Sequence, residues 1–450
     1  ETSPHFPNIT YPASLESRPF PQLTSSHHRR RLGKGFKMSD NNGDDNERVP
    51  YAAYLQTVMQ KGVLAGQLPV VTTNPNRLEE QARKTMPQKG FDYIKGGAGE
   101  SATMDANRLA FRQWNIVPRM LRPTNPRDLG VTLFGQKYDT PLLMAPIGVQ
   151  SLYHPDKEIG TANACAALRV PFTLSTASST GIEELVKASP DGPKWFQLYW
   201  PTDEEITASI LGCAKSNGFK TLVVTLDTWT LGWRPWDLDT ANVPFVVGEG
   251  DEVGFQDPVF RRKFAERSDG ETPEENKISA AMYWISESFP GVSRSWEDLG
   301  LLRRHWDGPI VLKGVLSVDD ARLAVRHGMD GVIVSNHGGR QVDGAVATLD
   351  VLPEIVDAVG DHIAVLFDSG IRTGADMVKA LALGAKAVFV GRPVVYGLGI
   401  DGAAGAEAVL AGLLADLDLT MGLAGVKSIA ELQRPMLRRA QYPGDVKSNL

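Results

Sequence analysis

The run from Gly331 to Asp343, GVIVSNHGGRQVD, carries an apolar, β-branched stretch into a histidine, two glycines and an arginine. Each of these residue types has a chemical use. His337 titrates near neutral pH and can take or give a proton. Arg340 carries a planar fork of donors that matches a carboxylate. Gly338 and Gly339 remove the side-chain bulk that would hold the backbone away from a bound ring or substrate. Such a set could grip the acid end of a small molecule while its proton is handled. Further along, DSGIRTGAD (from Asp368) and GRP (from Gly391) set glycine backbone beside Arg372 and Arg392, a combination suited to a phosphate. Lys313, in PIVLKG, could neutralise negative charge gained by a cofactor ring.

These residues need a scaffold that brings them together. Short apolar segments recur from Leu142 to Arg392: LLMAPIG (from Leu142), PFTLST (from Pro171), KWFQLY (from Lys194), TLVVTLD (from Thr221), PIVLKG (from Pro309), GVIVSNH (from Gly331), AVLFDSG (from Ala364) and AVFVGR (from Ala387). Most are separated by helical patterns, such as Ser317 to His327 and Gly374 to Leu383. Eight strand–helix units without a polar edge strand predict an α/β fold, a closed (β/α)8 TIM barrel. Ser175, Gln197, Tyr199, Thr225, Asp227, Lys313, Ser335, His337, Asp368 and Arg392 all fall at C-terminal strand ends, the rim where such barrels build active sites. The seventh and eighth strand ends are where they commonly hold phosphate. No GxGxxG follows a strand, so a mononucleotide such as FMN fits better than a dinucleotide.

Around this core, residues 1–48 mix Pro, Ser and Asn with a basic patch and an acidic one, and read as a disordered tail ahead of a barrel domain over 49–450. A helical pattern from Asn76 to Lys95 leads into FDYIKGGAGE, where Tyr93 either overhangs a ligand or packs at a helix end. A long insertion after the fourth strand, about 235–296, is expected to act as a lid, with a subunit contact as the competing reading. Helical stretches are expected over Ala403 to Leu423 and Ser428 to Gln441. A net charge of −6 gives no hint of a nucleic-acid surface, and no apolar run reaches bilayer length. Cys165 and Cys213 read as free thiols in a reducing compartment. The expected location is cytoplasmic; Ser448-Asn449-Leu450 is only a distant variant of a peroxisomal address. No metal site is expected.

SNHGGRQ, the LKG of the fifth strand, DSGIRTGADMVKALALGA and LMAPIG together resemble the FMN-dependent 2-hydroxy-acid oxidizing family, over about Met86 to Gln441. Within it, TLDTWTLGWRPWDL, VPRMLRP and the long insertion are most similar to lactate 2-monooxygenase. The resemblance implies that His337 is the base, oriented by Asp227, with Arg340, Arg234 and Tyr93 on the substrate carboxylate and Tyr199 on the substrate oxygen. It implies an FMN site of Ala145, Ile147, Ser175, Gln197, Thr225, Lys313 and Ser335 around ring and ribityl chain, and Asp368, Gly370, Arg372, Gly391 and Arg392 toward the phosphate. Ala177 stands where glycolate oxidase has a tryptophan, which would admit a bulkier substrate, and no haem-binding HPGG pattern is present. The expected function is oxidation of an L-2-hydroxy acid to the 2-oxo acid with O2 as acceptor, with oxidative decarboxylation if the lid retains the products. The alternatives are a dehydrogenase with another acceptor, an FMN-dependent isomerase and a flavin-binding scaffold. The resemblance also implies a homotetramer or homo-octamer.

Overall fold

The computed structural model describes residues 49–440. The expected tail over residues 1–48 and the C-terminal tripeptide lie outside the described residues. All eight apolar segments become strands of one closed parallel barrel. They are β1 (Leu142–Met144), β2 (Phe172–Ser175), β3 (Lys194–Leu198), β4 (Thr221–Thr225), β5 (Ile310–Val315), β6 (Gly331–Val334), β7 (Ala364–Phe367) and β8 (Val388–Val390). Neighbours pair in chain order, and β8 closes on β1 with Val388 opposite Leu142 and Val390 opposite Met144. Nearly every strand residue is buried, because one face meets the barrel interior and the other the helical layer; that is why these segments are continuously apolar rather than alternating.

Leu143, Trp195, Val223, Val311, Ile333, Leu366 and Phe389 point into the barrel and fill it. An antiparallel hairpin, Val131–Leu133 with Gln136–Tyr138, plugs the N-terminal end. Its Leu133 and Tyr138 join the same core, and Trp195 Nε1 donates to Tyr138 Oη at 3.1 Å. With that end plugged and the middle packed, the C-terminal rim is left for a ligand.

Four helices precede the barrel: Ala53–Ala65, Pro75–Thr85, Gln88–Lys95 and Ala102–Arg112. The pattern expected as one helix over Asn76 to Lys95 is thus two, since Pro87 has no N–H to continue the ladder and Met86 is pushed to extended backbone (φ −75°, ψ 151°). After β8 a single helix, Arg392–Ala424, contains the expected Ala403 to Leu423 and begins a further three turns earlier, with a break at Asp401 and Gly402. Contrary to the sequence expectation, this helix is long and apolar enough to cross a membrane by composition; 61% of its apolar window is buried, as befits a core helix against the barrel. The helix expected over Ser428 to Gln441 is replaced by 3₁₀ turns at Ile429–Glu431 and Arg434–Met436 and a strand, Leu437–Arg439. Pro435 interrupts the helical ladder, and Leu437–Arg439 pairs instead with Trp114–Ile116.

The insertion between β4 and β5 is helical and anchored. Phe260 sits in an aromatic cluster with Phe255, Phe264, Tyr283 and Trp284 at centroid distances of 5.0–6.3 Å. Asp257 caps the helix Pro258–Arg267 and accepts a bond from Ser209 at 2.6 Å, tying the insertion to the helix Glu204–Ser216. Cys165 is buried and Cys213 half-buried, both as free thiols.

Candidate active site

The loop after β6 is built around an unusual backbone. His337, Gly338 and Gly339 have φ of 57°, 64° and 76°, three consecutive residues in the left-handed region. Glycine is required at the last of them, because a Cβ on Gly339 would lie 2.6 Å from Met104 Cγ and 2.9 Å from its backbone nitrogen. Hydroxyls hold the turn in place: Ser335 Oγ accepts from His337 N at 3.1 Å, and Ser369 Oγ from Gly338 N at 3.0 Å. The buried amides of Asn336 and Asn107 bond each other reciprocally at 2.9 and 2.8 Å, fixing the loop to the helix Ala102–Arg112.

That backbone delivers the imidazole to a carboxylate. His337 Nδ1 lies 2.8 Å from Asp227 Oδ1, and Thr228 Oγ1 donates to the same oxygen at 2.8 Å. A carboxylate accepts, so the Nδ1 proton belongs between His337 and Asp227, and Nε2 keeps its lone pair. Burial alone would push the Asp227 pKa up; the charges of His337 and Lys313 and the bonds from His337 and Thr228 outweigh it and hold this carboxyl well below the usual range. Burial pulls the His337 pKa below its ordinary value, against the opposing pull of Asp227. β5 makes room for this pair: its register shifts between Lys313 and Val315, and Gly314, at φ 105°, leaves only 2.9 Å between a hypothetical Cβ and Asp227 Oδ2.

Two buried guanidinium groups lie beside His337. Arg234 donates from Nε to Arg340 O at 3.0 Å and from Nη2 to Gln341 Oε1 at 2.6 Å, while Gln341 Nε2 donates to Asp227 O at 2.7 Å. Arg340 uses Nη1 on the carbonyls of Tyr93 and Gly96, at 2.5 and 2.6 Å, and stacks on the Tyr93 ring at 4.8 Å. Its Nη2 is buried without a hydrogen-bond partner among the described residues and lies 3.9 Å from Asp237 Oδ2. Tyr199 packs on Phe289 at 5.0 Å, and burial drives its phenol pKa up.

All of this surrounds one cavity of about 930 Å³, counted out to its mouth. Tyr93, Ala145, Ile147, Tyr199, Arg234, Lys313, His337, Arg340, Asp368, Gly370, Arg372, Gly391 and Arg392, all expected site residues, line it. Ser175, Gln197, Thr225, Ser335 and Asp227 do not. Ser175, Gln197 and Thr225 form a buried chain behind the wall, Ser175 Oγ to Gln197 Oε1 at 2.9 Å and Gln197 Nε2 to Thr225 Oγ1 at 3.0 Å. Ser335 accepts from Lys313 Nζ at 3.0 Å, and Lys313 lies 3.6 Å from Asp368. Thr228, Gln341, Ser369, Asn107, Asn336 and Tyr153 escaped the sequence reading, because nothing in a threonine, amide or tyrosine signals its place until the fold sets it beside a histidine, an arginine or a cavity.

The far end of the cavity suits a phosphate. Arg372 and Arg392 are both enclosed, and the acceptors their guanidinium groups find are uncharged: the Ile371 carbonyl for Arg372, and the carbonyls of Ile94, Gly338 and Gly96 with Met104 Sδ for Arg392. Burial first, then the nearby charges of Arg340 and Arg372, brings the Arg392 pKa down to about 9. A cluster of desolvated cations of this kind is relieved by a dianion. Gly370 (φ 99°) and Gly391 keep the backbone there bare, and a Cβ on Gly391 would meet Ile147 Cδ1 at 3.1 Å. Residues and volume therefore fit FMN, phosphate toward Arg372 and Arg392 and ring toward Lys313.

A barrel that joins a phosphate cradle at its last two strands to a histidine–carboxylate pair and two buried arginines is that of a flavin-dependent oxidoreductase acting on small acids. Residues 82–439 match the model of the FMN-dependent dehydrogenases, and the chain belongs to that family. It is 54% identical over 402 residues to an FMN-dependent alpha-hydroxy acid dehydrogenase of Penicillium citrinum, covering 89% of this chain and 99% of that one. It is 40% identical over 368 residues to human 2-hydroxyacid oxidase 1, covering 81% and 96%. Among solved structures, mandelate oxidase is similar at 36% identity with a TM-score of 0.69, covering 82% of this chain and 98% of that one. The protein is thus an FMN-dependent oxidoreductase of the 2-hydroxy-acid oxidase and dehydrogenase group.

Proposed function

We propose that this enzyme oxidises L-2-hydroxy acids bearing a side chain bulkier than methyl to the 2-oxo acid, with O2 as acceptor. The observation that carries the reading is the pairing of His337, whose Nδ1 proton is committed to Asp227, with an Arg340 on the same cavity whose buried Nη2 makes no hydrogen bond among the described residues and meets only the Asp237 carboxylate, at 3.9 Å. Bound FMN supplies the two-electron acceptor. Arg340, Arg234 and the Tyr93 hydroxyl hold the substrate carboxylate, and Tyr199 bonds the oxygen on C2. His337 Nε2 takes the proton from the reacting carbon–oxygen centre, and Asp227 stabilises the imidazolium formed. Lys313 contributes fixed positive charge at the ring end, and Ser175, Gln197, Thr225 and Ser335 support the groups that touch the cofactor.

Support for the bulky side chain comes from the apolar part of the wall, where Ala177, Leu231, Phe245 and Phe289 line the cavity. Relatives of this chain include a protein named 4-hydroxymandelate oxidase, from Amycolatopsis orientalis, 38% identical over 357 residues, and one named L-lactate oxidase. Phe245 and Phe289 come from the insertion after β4, which supports reading that segment as a lid over the products, and oxidative decarboxylation is the second outcome to look for.

The test is anaerobic mixing of the holoenzyme with L- and D-forms of glycolate-, lactate- and mandelate-type acids, then air, following flavin absorbance, peroxide and carbon dioxide. Bleaching by L-acids with peroxide on reoxidation supports an oxidase, and carbon dioxide in place of peroxide a monooxygenase. Slow reoxidation by air, cured by an artificial acceptor, would replace O2 with another acceptor. A flavin that no 2-hydroxy acid bleaches overturns the reading.

A further inference from the structure

Tyr153 lies in the same cavity wall, and nothing in the reaction above uses it. It follows the short 3₁₀ turn Gln150–Leu152 at the end of the loop that leaves β1, with its backbone N–H bonded to Gln150 O at 3.0 Å. The side chain is 1% exposed and lines the cavity. Its hydroxyl has no hydrogen-bond partner among the described residues. A buried phenol in that state is costly, and such groups in folded proteins ordinarily find a partner.

Its surroundings show which partner is missing. The ring lies against the helix Gln88–Lys95 at Gly90, where a Cβ would come within 3.5 Å of Tyr153 Cδ1. Tyr93 is three positions further on, hence on the same helix face, and carries the Arg340 guanidinium on its ring at 4.8 Å. Tyr153 and Tyr93 therefore stand side by side at the arginine end of the cavity. Of the two carboxylates whose charge reaches Tyr153, Glu158 is already engaged, Oε1 accepting from Gln150 N and Ser179 N at 3.1 and 2.9 Å and Oε2 from Thr180 Oγ1 at 2.9 Å; Asp237 makes no hydrogen bond to it, its Oδ1 being buried without a partner among the described residues and its Oδ2 lying 3.9 Å from Arg340 Nη2. Arg340 Nη2, at the same end, has no hydrogen-bond partner among the described residues and faces the Asp237 carboxylate only at 3.9 Å, so it keeps a donor for a substrate anion.

We propose that Tyr153 is a further substrate-positioning residue, its hydroxyl donating a hydrogen bond to the carboxylate that Arg340 and Tyr93 also hold. This rests on the 2-hydroxy-acid reading above. It makes the clamp selective for the charged acid over its neutral amide, because a phenol that is buried and otherwise unpartnered gains most from a charged acceptor.

The experiment compares the wild-type holoenzyme with Tyr153→Phe, full length and FMN-loaded. Perturbation of the flavin spectrum is titrated with phenylglyoxylate, an unreactive 2-oxo acid, and with phenylglyoxylamide. The expected result is a Kd for the acid roughly ten- to a hundredfold higher in the variant, with the amide changed less than about threefold. The limiting rate of flavin reduction by mandelate should stay within about threefold, so that the loss falls on KM rather than kcat. Thermal stability should be unchanged or higher, since no protein bond is lost. Equal acid binding by the two proteins, or equal weakening of acid and amide, overturns the proposal. If wild-type flavin is bleached by no hydroxy acid, the functional reading fails separately, while the acid and amide titrations still decide what Tyr153 does.

Discussion

His337 Nδ1 and Asp227 Oδ1 meet at 2.8 Å although they come from the ends of different strands, β6 and β4. Three left-handed residues on one side and the Gly314 bulge in β5 on the other are what permit the contact. The pair is mostly shielded, each side chain about one-sixth exposed, so its neighbours weigh heavily on its charge state.

His337→Gln should retain FMN and nearly abolish flavin reduction. Asp227→Asn should slow it by roughly 10²–10⁴, measured by anaerobic stopped flow. The reacting form has neutral His337, whose pKa is pulled below the ordinary value by burial. Reduction should therefore hold steady from neutral pH into mild acid and fall only as pH drops through that depressed pKa. Asp227 raises the His337 pKa, so in Asp227→Asn the acid limb moves to still lower pH even as the plateau falls. A limb that moved upward would contradict the assignment.

Arg372 and Arg392 should separate cofactor affinity from stability. Arg372 Nη1 bonds the carbonyl of its own neighbour Ile371, so Arg372→Ala should raise the FMN dissociation constant by roughly ten- to a hundredfold with little change in apoprotein Tm. Arg392→Ala removes the donor from the carbonyls of Ile94 and Gly338, while Gly96 O keeps Arg340 Nη1, so it should also unfold several degrees lower. Fluorescence titration of apoprotein with FMN, beside a melt, tests both.

Ala177→Trp fills the apolar part of the wall between Gly148 and Phe245. A Cβ on Gly148 would already lie 2.2 Å from Ala177 O, so the added indole has to occupy the cavity itself. The expected outcome is a fall in kcat/KM for mandelate-type acids of roughly a hundredfold (about 3 kcal/mol of lost room) with glycolate much less affected. Equal losses for both would place the substrate side chain elsewhere.

Asp251 predicts a stability that falls with pH. Both its carboxylate oxygens are buried without a partner among the described residues, and burial pushes the pKa up to about 9, against the pull of Lys277. The folded form therefore keeps a proton that the unfolded chain releases above the usual carboxylate pKa. This contribution is intact in acid and is lost progressively as pH rises toward 9. Asp251→Asn should flatten the decline of Tm between pH 5 and 9 and stabilise the holoenzyme by about 1–3 kcal/mol at pH 8. A parallel, unshifted curve would refute it.

The eight strands were legible because a parallel barrel buries both faces of each, which leaves an unbroken apolar signature at every one. The helix boundaries were less so. Met86 and Pro87 divide one expected helix into two, and Pro435 turns an expected helix at Ser428 to Gln441 into a pairing with Trp114–Ile116, a partner more than three hundred residues away. Periodicity reports a preference for helix but not the competing long-range strand.

For the site, sequence by itself determined the chemistry-bearing types: the histidine, the arginines, the lysine and the glycine-rich turns stand in motifs whose chemistry is local. Only the tertiary structure decided who partners whom. Ser175, Gln197 and Thr225 bond one another in a buried ladder, while Tyr153 and Thr228 line the cavity and Gln341 bonds Arg234. The physical reason is that a hydroxyl or an amide takes its role from the atom opposite, and that atom lies on another strand, brought within 3 Å only when the barrel closes.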